Sequence, residues 1–286
     1  MAFNFSVFKV RAASAVVFAI VMISGLLWNE WSFFGLFFAI QIGCLYEYQK
    51  LMKLIFPNYI NITRVHQWGV LTMGAAVMLS HCSPSLIVGN IEIHKIGMPL
   101  FGLTVVGILI SELINKKVNL QNWAISVVGL LYISFSLSLF FPLRAYLAHT
   151  FLGDFGYAVP MVLIVSIWVN DTMAYLVGSF IGRTPLSSIS PNKTWEGTIA
   201  GVILSVLLVT KLMGLYLPIQ EKTIFLISLV ASITGTFGDL LESKLKRLAG
   251  VKDSGSMMPG HGGFLDRFDS ILLATPFVWL LLQILF

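Results

Sequence analysis

Apolar residues run through this chain in long unbroken stretches, separated by short breaks where charge, proline and glycine collect. The stretches cover roughly 10 to 28, 32 to 50, 67 to 81, 97 to 113, 123 to 142, 158 to 180, 197 to 217, 223 to 242 and 269 to 286. They are continuous rather than alternating, and most approach the roughly 20 residues that a helix needs to cross a bilayer. Backbone groups in hydrocarbon must pair within the protein, which leaves helices or closed barrels, and continuous runs select helices. The pattern predicts an all-α fold, a polytopic transmembrane helix bundle of about nine spans. The first run follows Lys9 and Arg11 and is succeeded by Asn29, Glu30 and Trp31 with no small-residue cleavage pattern, so it reads as an uncleaved span.

Composition sharpens this picture. With 57% hydrophobic and 11% charged residues over 286 positions, no water-soluble surface can be built. Mean hydropathy is +0.88 and the sequence pI is about 9.2. The net charge of +5 would raise nucleic acid as a partner in a soluble protein, but in a membrane protein its placement matters more than its sum. With the N-terminus cytoplasmic, the cytoplasmic side receives Lys9, Arg11, Lys50, Lys53, Arg64, Lys116, Lys117, Arg183, Lys193, Lys244, Lys246, Arg247, Lys252 and Arg267. The other side receives Lys95, Arg144, Lys211 and Lys222. That bias favours a cytoplasmic N-terminus. Cys44 and Cys82 lie far apart in apolar surroundings and suggest neither a disulfide nor a metal site.

Residues 1–150 read as N-terminal spans and residues 151–286 as a transmembrane catalytic region, because the polar segments that stand out are 183–197 and 241–269. At and just before the second, Asp239, Ser243 and Lys246 share one helical face, and Asp266 and Asp269 share another. Three carboxylates at adjoining helix ends resemble a cage for a hard cation such as Mg²⁺. The plainer reading is that Asp266 favours a helix N-terminus and that the cations set orientation or snorkel. Asp239 weighs against it, because it follows an apolar run where an unpaired charge is costly. The turn at 259–263 offers backbone N–H groups to an oxyanion, with Lys244, Lys246, Arg247, Lys252 and Arg267 nearby. In the first segment, Ser190 and Pro191 can open a helix whose free N–H groups suit a phosphate, aided by Lys193. An ordinary capped helix with interfacial Trp195 explains the same residues. Asp171, inside the sixth run, needs a partner, a cation or a wet cavity. Glu47 and Glu112, near lysines, read as interfacial, and His66, His81, His94 and His149 as structural or surface residues.

Together these segments closely resemble the phosphatidate cytidylyltransferases, or CDP-diacylglycerol synthases. The resemblance rests on Ser243-Lys244-Leu245-Lys246-Arg247, Lys252-Asp253, Gly255, Met258-Pro259, His261-Gly262-Gly263-Phe264 and Asp266-Arg267-Phe268-Asp269. Upstream, Asp171, Ala174-Tyr175, Gly178, Gly182-Arg183, Ser190-Pro191, Lys193-Thr194 and Glu196-Gly197 extend it, so motif similarity covers about 168 to 269. Met258 and Asn192 depart from the usual pattern; the second leaves Lys193 alone for any phosphate contact there.

The resemblance implies transfer of the cytidylyl group of CTP to phosphatidic acid, giving CDP-diacylglycerol and pyrophosphate, with Mg²⁺ required. It assigns Asp239 and Asp266 as principal metal ligands with Asp269 in support. Lys246, Arg247, Lys252 and Arg267 become phosphate contacts, and Lys193 a grip from the opposite segment. Asp171, Arg183, Ser190 and Ser243 are further substrate-binding candidates, and His261 is assigned to phosphate binding or loop geometry. The expected partners are CTP, phosphatidic acid and membrane lipids, with no nucleic acid. The sequence leaves open a homodimer and a second, monovalent cation. The expected location is a bacterial plasma membrane, with the site facing the cytoplasm. A CTP-dependent polyprenol kinase, an ion-coupled transporter and a silent scaffold remain competing readings.

Overall fold

Helices follow the apolar runs. The structure, a computed structural model, describes residues 5–147, 154–256 and 262–285. Its long helices are α1 (Phe5–Leu27), α2 (Glu30–Ile55), α3 (Arg64–His81), α4 (His94–Ile114) and α5 (Leu120–Ala145), followed by α6 (Ala158–Ile181), α7 (Trp195–Gly214), α8 (Glu221–Leu248) and α9 (Leu265–Leu285). Two short antiparallel hairpins interrupt them: β1 (Ile87–Val88) with β2 (Ile91–Glu92), and β3 (Pro185–Ser187) with β4 (Ser190–Thr194). Among the described residues six helices, α4 to α9, are long and apolar enough to cross a membrane. This is an integral, multi-pass membrane protein. Helix α1 contributes the shorter apolar stretch Val16–Leu27. Polar residues such as Gln41, Glu47 and Gln49 in α2 and Arg64, His66 and Gln67 in α3 dilute the hydropathy of those two helices.

The helix starts are chemically marked. Asn29 and Ser32 form a reciprocal capping box at α2, Thr63 accepts from His66 N–H at α3, and Asn119 accepts from Gln121 and Asn122 N–H at α5. Such side chains satisfy N–H groups that have no intrahelical partner.

Two compact units make up the chain: 5–138 with 248–256 and 262–268, and 139–147 with 154–247 and 269–285. In the first, Phe33, Phe37, Cys44 and Leu45 of α2 and Val70, Met73, Ala76 and Met78 of α3 are fully buried. Gly74 lets Gln41 Nε2 reach Ser134 Oγ at 2.9 Å, since a Cβ there would lie 2.6 Å from that oxygen. A buried polar knot joins α3, α4 and α5. His66 Nδ1 meets Glu112 Oε1 at 2.6 Å, its Nε2 meets Ser126 Oγ at 2.8 Å, and Trp123 Nε1 donates to Glu112 Oε2 at 2.7 Å. Glu112 is thus a core residue, 1% exposed, rather than the interfacial one its neighbours Lys116 and Lys117 suggested. The fold brings it hydrogen-bonding partners from two other helices.

In the second unit, α6 and α7 approach closely through small residues. A Cβ on Gly197 would stand 2.6 Å from Ala174 O, and one on Gly201 would stand 2.8 Å from Asn170 O. Small residues permit such backbone approach where lipid supplies no hydrophobic drive. Hydroxyls add ties: Ser205 donates to Ser166 O at 2.7 Å, Ser166 to Ser228 at 3.0 Å and Ser232 to Ser205 at 3.1 Å. Gly238 of α8 sits against the backbone of Asp269 in α9, where a Cβ would meet the Asp269 carbonyl at 2.6 Å.

Candidate functional site

The hairpin β3–β4 carries the first polar segment, with Pro185 opposite Thr194 and Ser187 opposite Ser190. Ser190 and Pro191 therefore lie in a strand and do not open α7, which corrects the helix-start expectation. Thr194 caps α7 instead, accepting from Gly197 N–H at 3.2 Å. The strand wins because its backbone pairs with β3. Glu196 accepts from the backbone N–H groups of Arg183 at 3.1 Å and Thr184 at 3.2 Å, which pins the start of the hairpin to the first turn of α7. Arg183 and Glu196 line an open groove with Phe180, Ile181 and Gly182.

From β4, Lys193 reaches α8. Its Nζ is paired with Asp239 Oδ2, while Ser243, one turn along α8, donates to Asp239 Oδ1 at 3.3 Å. Burial pushes the Lys193 ammonium below the ordinary lysine range, against the pull of Asp171 and Asp269 and with a further push from Lys246. Those three groups thus act electrostatically on one amine. Lys246 pairs with Glu242 Oε2 at 2.6 Å, one turn back on α8, and Glu242 is fully buried. Asp171 accepts weakly from Asn170 Nδ2 at 3.5 Å. Asn170 is itself buried, and its Oδ1 has no hydrogen-bond partner among the described residues. This unit brings together Asp171, Lys193, Asp239, Ser243, Lys246 and Asp269 from four separate elements.

In the other unit the segment before α9 is organised around carboxylates. Asp266 Oδ2 accepts from Ser254 N at 2.9 Å and Gly263 N at 2.7 Å, and lies 2.9 Å from Ser254 Oγ. Gly262 has φ +82°, and a Cβ there would stand 2.6 Å from Asp266 Oδ2, so glycine is required on both counts. Lys252, Arg247 and Arg267 are exposed. His261 lies outside the described residues.

Sequence reasoning missed two acids. Glu242 had a local signal, the Glu-to-Lys spacing of four that pairs side chains on a helix. Glu47 had none: read as interfacial, it is 6% exposed and touches the segment before α9, more than 200 residues away in sequence.

The acids at 171, 239, 242 and 269 offer hard oxygen donors. Among the described residues no three His, Cys, Asp or Glu side chains are arranged as a preformed metal cage. Carboxylate oxygens are the donors that a cation of the Mg²⁺ kind takes, held by one or two of them with waters and substrate phosphates completing its shell.

A sequence model of the Cytidylyltransferase family matches residues 9–285. The chain is 31% identical over 278 residues to phosphatidate cytidylyltransferase of Bacillus subtilis, covering 96% of this chain and 98% of that protein. The protein of the same name from Staphylococcus aureus is 30% identical over 280 residues, with 96% and 98% covered. That from Thermotoga maritima is 36% identical over 197 residues, covering 65% of this chain and 70% of its own.

Proposed function

The chain belongs to the Cytidylyltransferase family, and from that premise we propose that it transfers the cytidylyl group of CTP to phosphatidic acid, giving CDP-diacylglycerol and pyrophosphate for phospholipid biosynthesis. The observation that carries this reading furthest is the pairing of Lys193 with Asp239, which joins the two motif segments the resemblance singled out.

A phosphate oxygen of phosphatidate attacks the α-phosphorus of CTP as the bond from that phosphorus to the bridging oxygen breaks. Pyrophosphate leaves with the electron pair. The nucleophile is a phosphate monoester with a second pKa of about 6, already largely ionised at neutral pH, so no general base is needed. The obstacle is bringing two anions together, and fixed cations meet it by positioning and neutralisation. Lys193 and Lys246 supply that charge, the first exchanging Asp239 for a substrate phosphate. Ser243 steadies Asp239 during the exchange. Arg247, Lys252 and Arg267 are assigned to phosphate contacts, His261 to phosphate binding or loop geometry, and Asp171, Arg183 and Ser190 to substrate binding. Asp239, Asp266 and Asp269 are the carboxylates assigned to Mg²⁺, which when bound would offset charge building on the leaving pyrophosphate.

The arrangement suits a substrate that stays in a leaflet while CTP arrives from water. We place the protein in a bacterial plasma membrane, like its bacterial relatives, with about nine spans, and its N-terminus and site on the cytoplasmic side on the strength of the Lys and Arg asymmetry. A homodimer is the proposed assembly, tested by mass in detergent.

The test is conversion of labelled CTP by purified protein in detergent with phosphatidate and Mg²⁺. The expected result is lipid-soluble CDP product and pyrophosphate in equal amounts, lost in Asp239→Asn. Release of CDP with a phosphorylated polyprenol would overturn the proposal in favour of a kinase.

A further inference from the structure

We infer that Glu47, in the N-terminal helix α2, is a positioning residue for the proposed reaction: its carboxylate fixes the segment that carries Asp266. This rests on the function proposed above.

Glu47 Oε2 accepts from Leu265 N–H, the first residue of α9, at 2.9 Å, and lies 2.7 Å from Ser254 Oγ. Ser254 Oγ is in turn 2.9 Å from Asp266 Oδ2. One hydroxyl thus stands between a carboxylate of α2 and a carboxylate in the first turn of α9, its single hydrogen shared between them. The backbone is shaped around this acid. A Cβ on Gly263 would collide with both Glu47 oxygens, and one on Gly255 would collide with Oε1. One turn earlier on α2, Gly43 leaves room for the Phe264 ring, which a Cβ would overlap. Gly43 and Glu47 are four residues apart and share a helix face. They form a slot for Phe264 and an acceptor for the next N–H along the chain.

Physical chemistry favours a carboxylate here. The first N–H groups of α9 have no intrahelical acceptor, and negative charge is stabilised at a helix N-terminus. An interfacial glutamate would need none of this. Glu47 instead sits within a step of a residue assigned to Mg²⁺, connected through Ser254, without itself being assigned to substrate or metal. A displacement of about 1 Å in such a segment is enough to cost about 10²-fold in rate.

The experiment compares Glu47→Ala, Glu47→Gln and Gly263→Ala with wild type in the full-length protein in detergent. It reads kcat, KM for CTP, and hydrogen–deuterium exchange of peptides covering 254–256 and 262–268. Glu47→Ala is expected to lower kcat by about 10²-fold with a smaller change in KM, and to raise exchange in those peptides. Glu47→Gln keeps an oxygen for Leu265 N–H and should recover most of the rate and the protection. Gly263→Ala leaves Glu47 in place but displaces its carboxylate, and should match Glu47→Ala; it also serves if Glu47→Ala does not fold. Unchanged kcat and exchange in Glu47→Ala and Gly263→Ala would overturn the inference. So would Glu47→Gln as inactive as Glu47→Ala with exchange unaltered, since that pattern belongs to a group touching metal or substrate. If wild type makes no CDP-lipid, the functional reading fails, while the exchange data still decide whether Glu47 anchors the segment.

Discussion

Asp239 and Asp266 are both carboxylates of the motif-bearing part of the chain, yet they are held in opposite ways. Asp239 is balanced by a cation from another element, Lys193, with a single hydroxyl on its second oxygen. Asp266 Oδ2 accepts from two backbone N–H groups and the Ser254 hydroxyl. An ion pair between two side chains can exchange partners when a phosphate or a metal ion arrives. A carboxylate that closes a turn through backbone N–H groups cannot leave without releasing the turn. The contrast separates a group poised to change partners from one that builds the platform.

The sharpest way to break this comparison is to remove charge where exchange is expected. Lys193→Ala and Asp239→Asn should each lower kcat by about 10²–10³-fold, measured as CDP-lipid formation, because each deletes one half of the exchanging pair. Next in size is the buried knot that serves neither role. His66→Ala removes a partner of Glu112 in a fully buried setting and should cost about 3 kcal/mol of stability, read as a lower thermal midpoint, with kcat largely kept in the folded fraction. Gly197→Ala places a methyl against Ala174 O and should cost about 1–3 kcal/mol, because backbone must move.

A pH profile sharpens the comparison further. Burial disfavours the charged form of Lys193, so it gives up its proton at a lower pH than an ordinary lysine. The ammonium is the form that pairs with Asp239 and grips phosphate, so activity should fall as pH rises through that lowered value. Lys193→Arg should move this alkaline limb upward in a pH–rate profile, whatever it does to the maximum rate. The smallest expected effect is at a helix start: Asn29→Ala breaks the capping box of α2 and should cost about 1 kcal/mol in the same thermal assay.

How far each feature was legible depends on the range of the interaction behind it. Helix positions were readable because a run of apolar residues in lipid has few other ways to satisfy its backbone. Asp239 with Ser243 was readable because a spacing of four is one helical turn, and the same rule would have found Glu242 with Lys246. Ser190 and Pro191 misled because a local cap signature competed with strand pairing to residues 185–187, which no local pattern announces. Glu112 misled because nearby lysines suggested an interface, while its partners His66 and Trp123 come from other helices.

The sequence by itself determined the membrane-embedded helical class, the family and the motif residues, since composition, periodicity and spacing are properties of the linear chain. Only the tertiary structure decided that Lys193 rests on Asp239 and that Glu47 of α2 holds the segment bearing Asp266. Those contacts join residues 46 to more than 200 positions apart, and a carboxylate's role follows from the donors that folding brings to it.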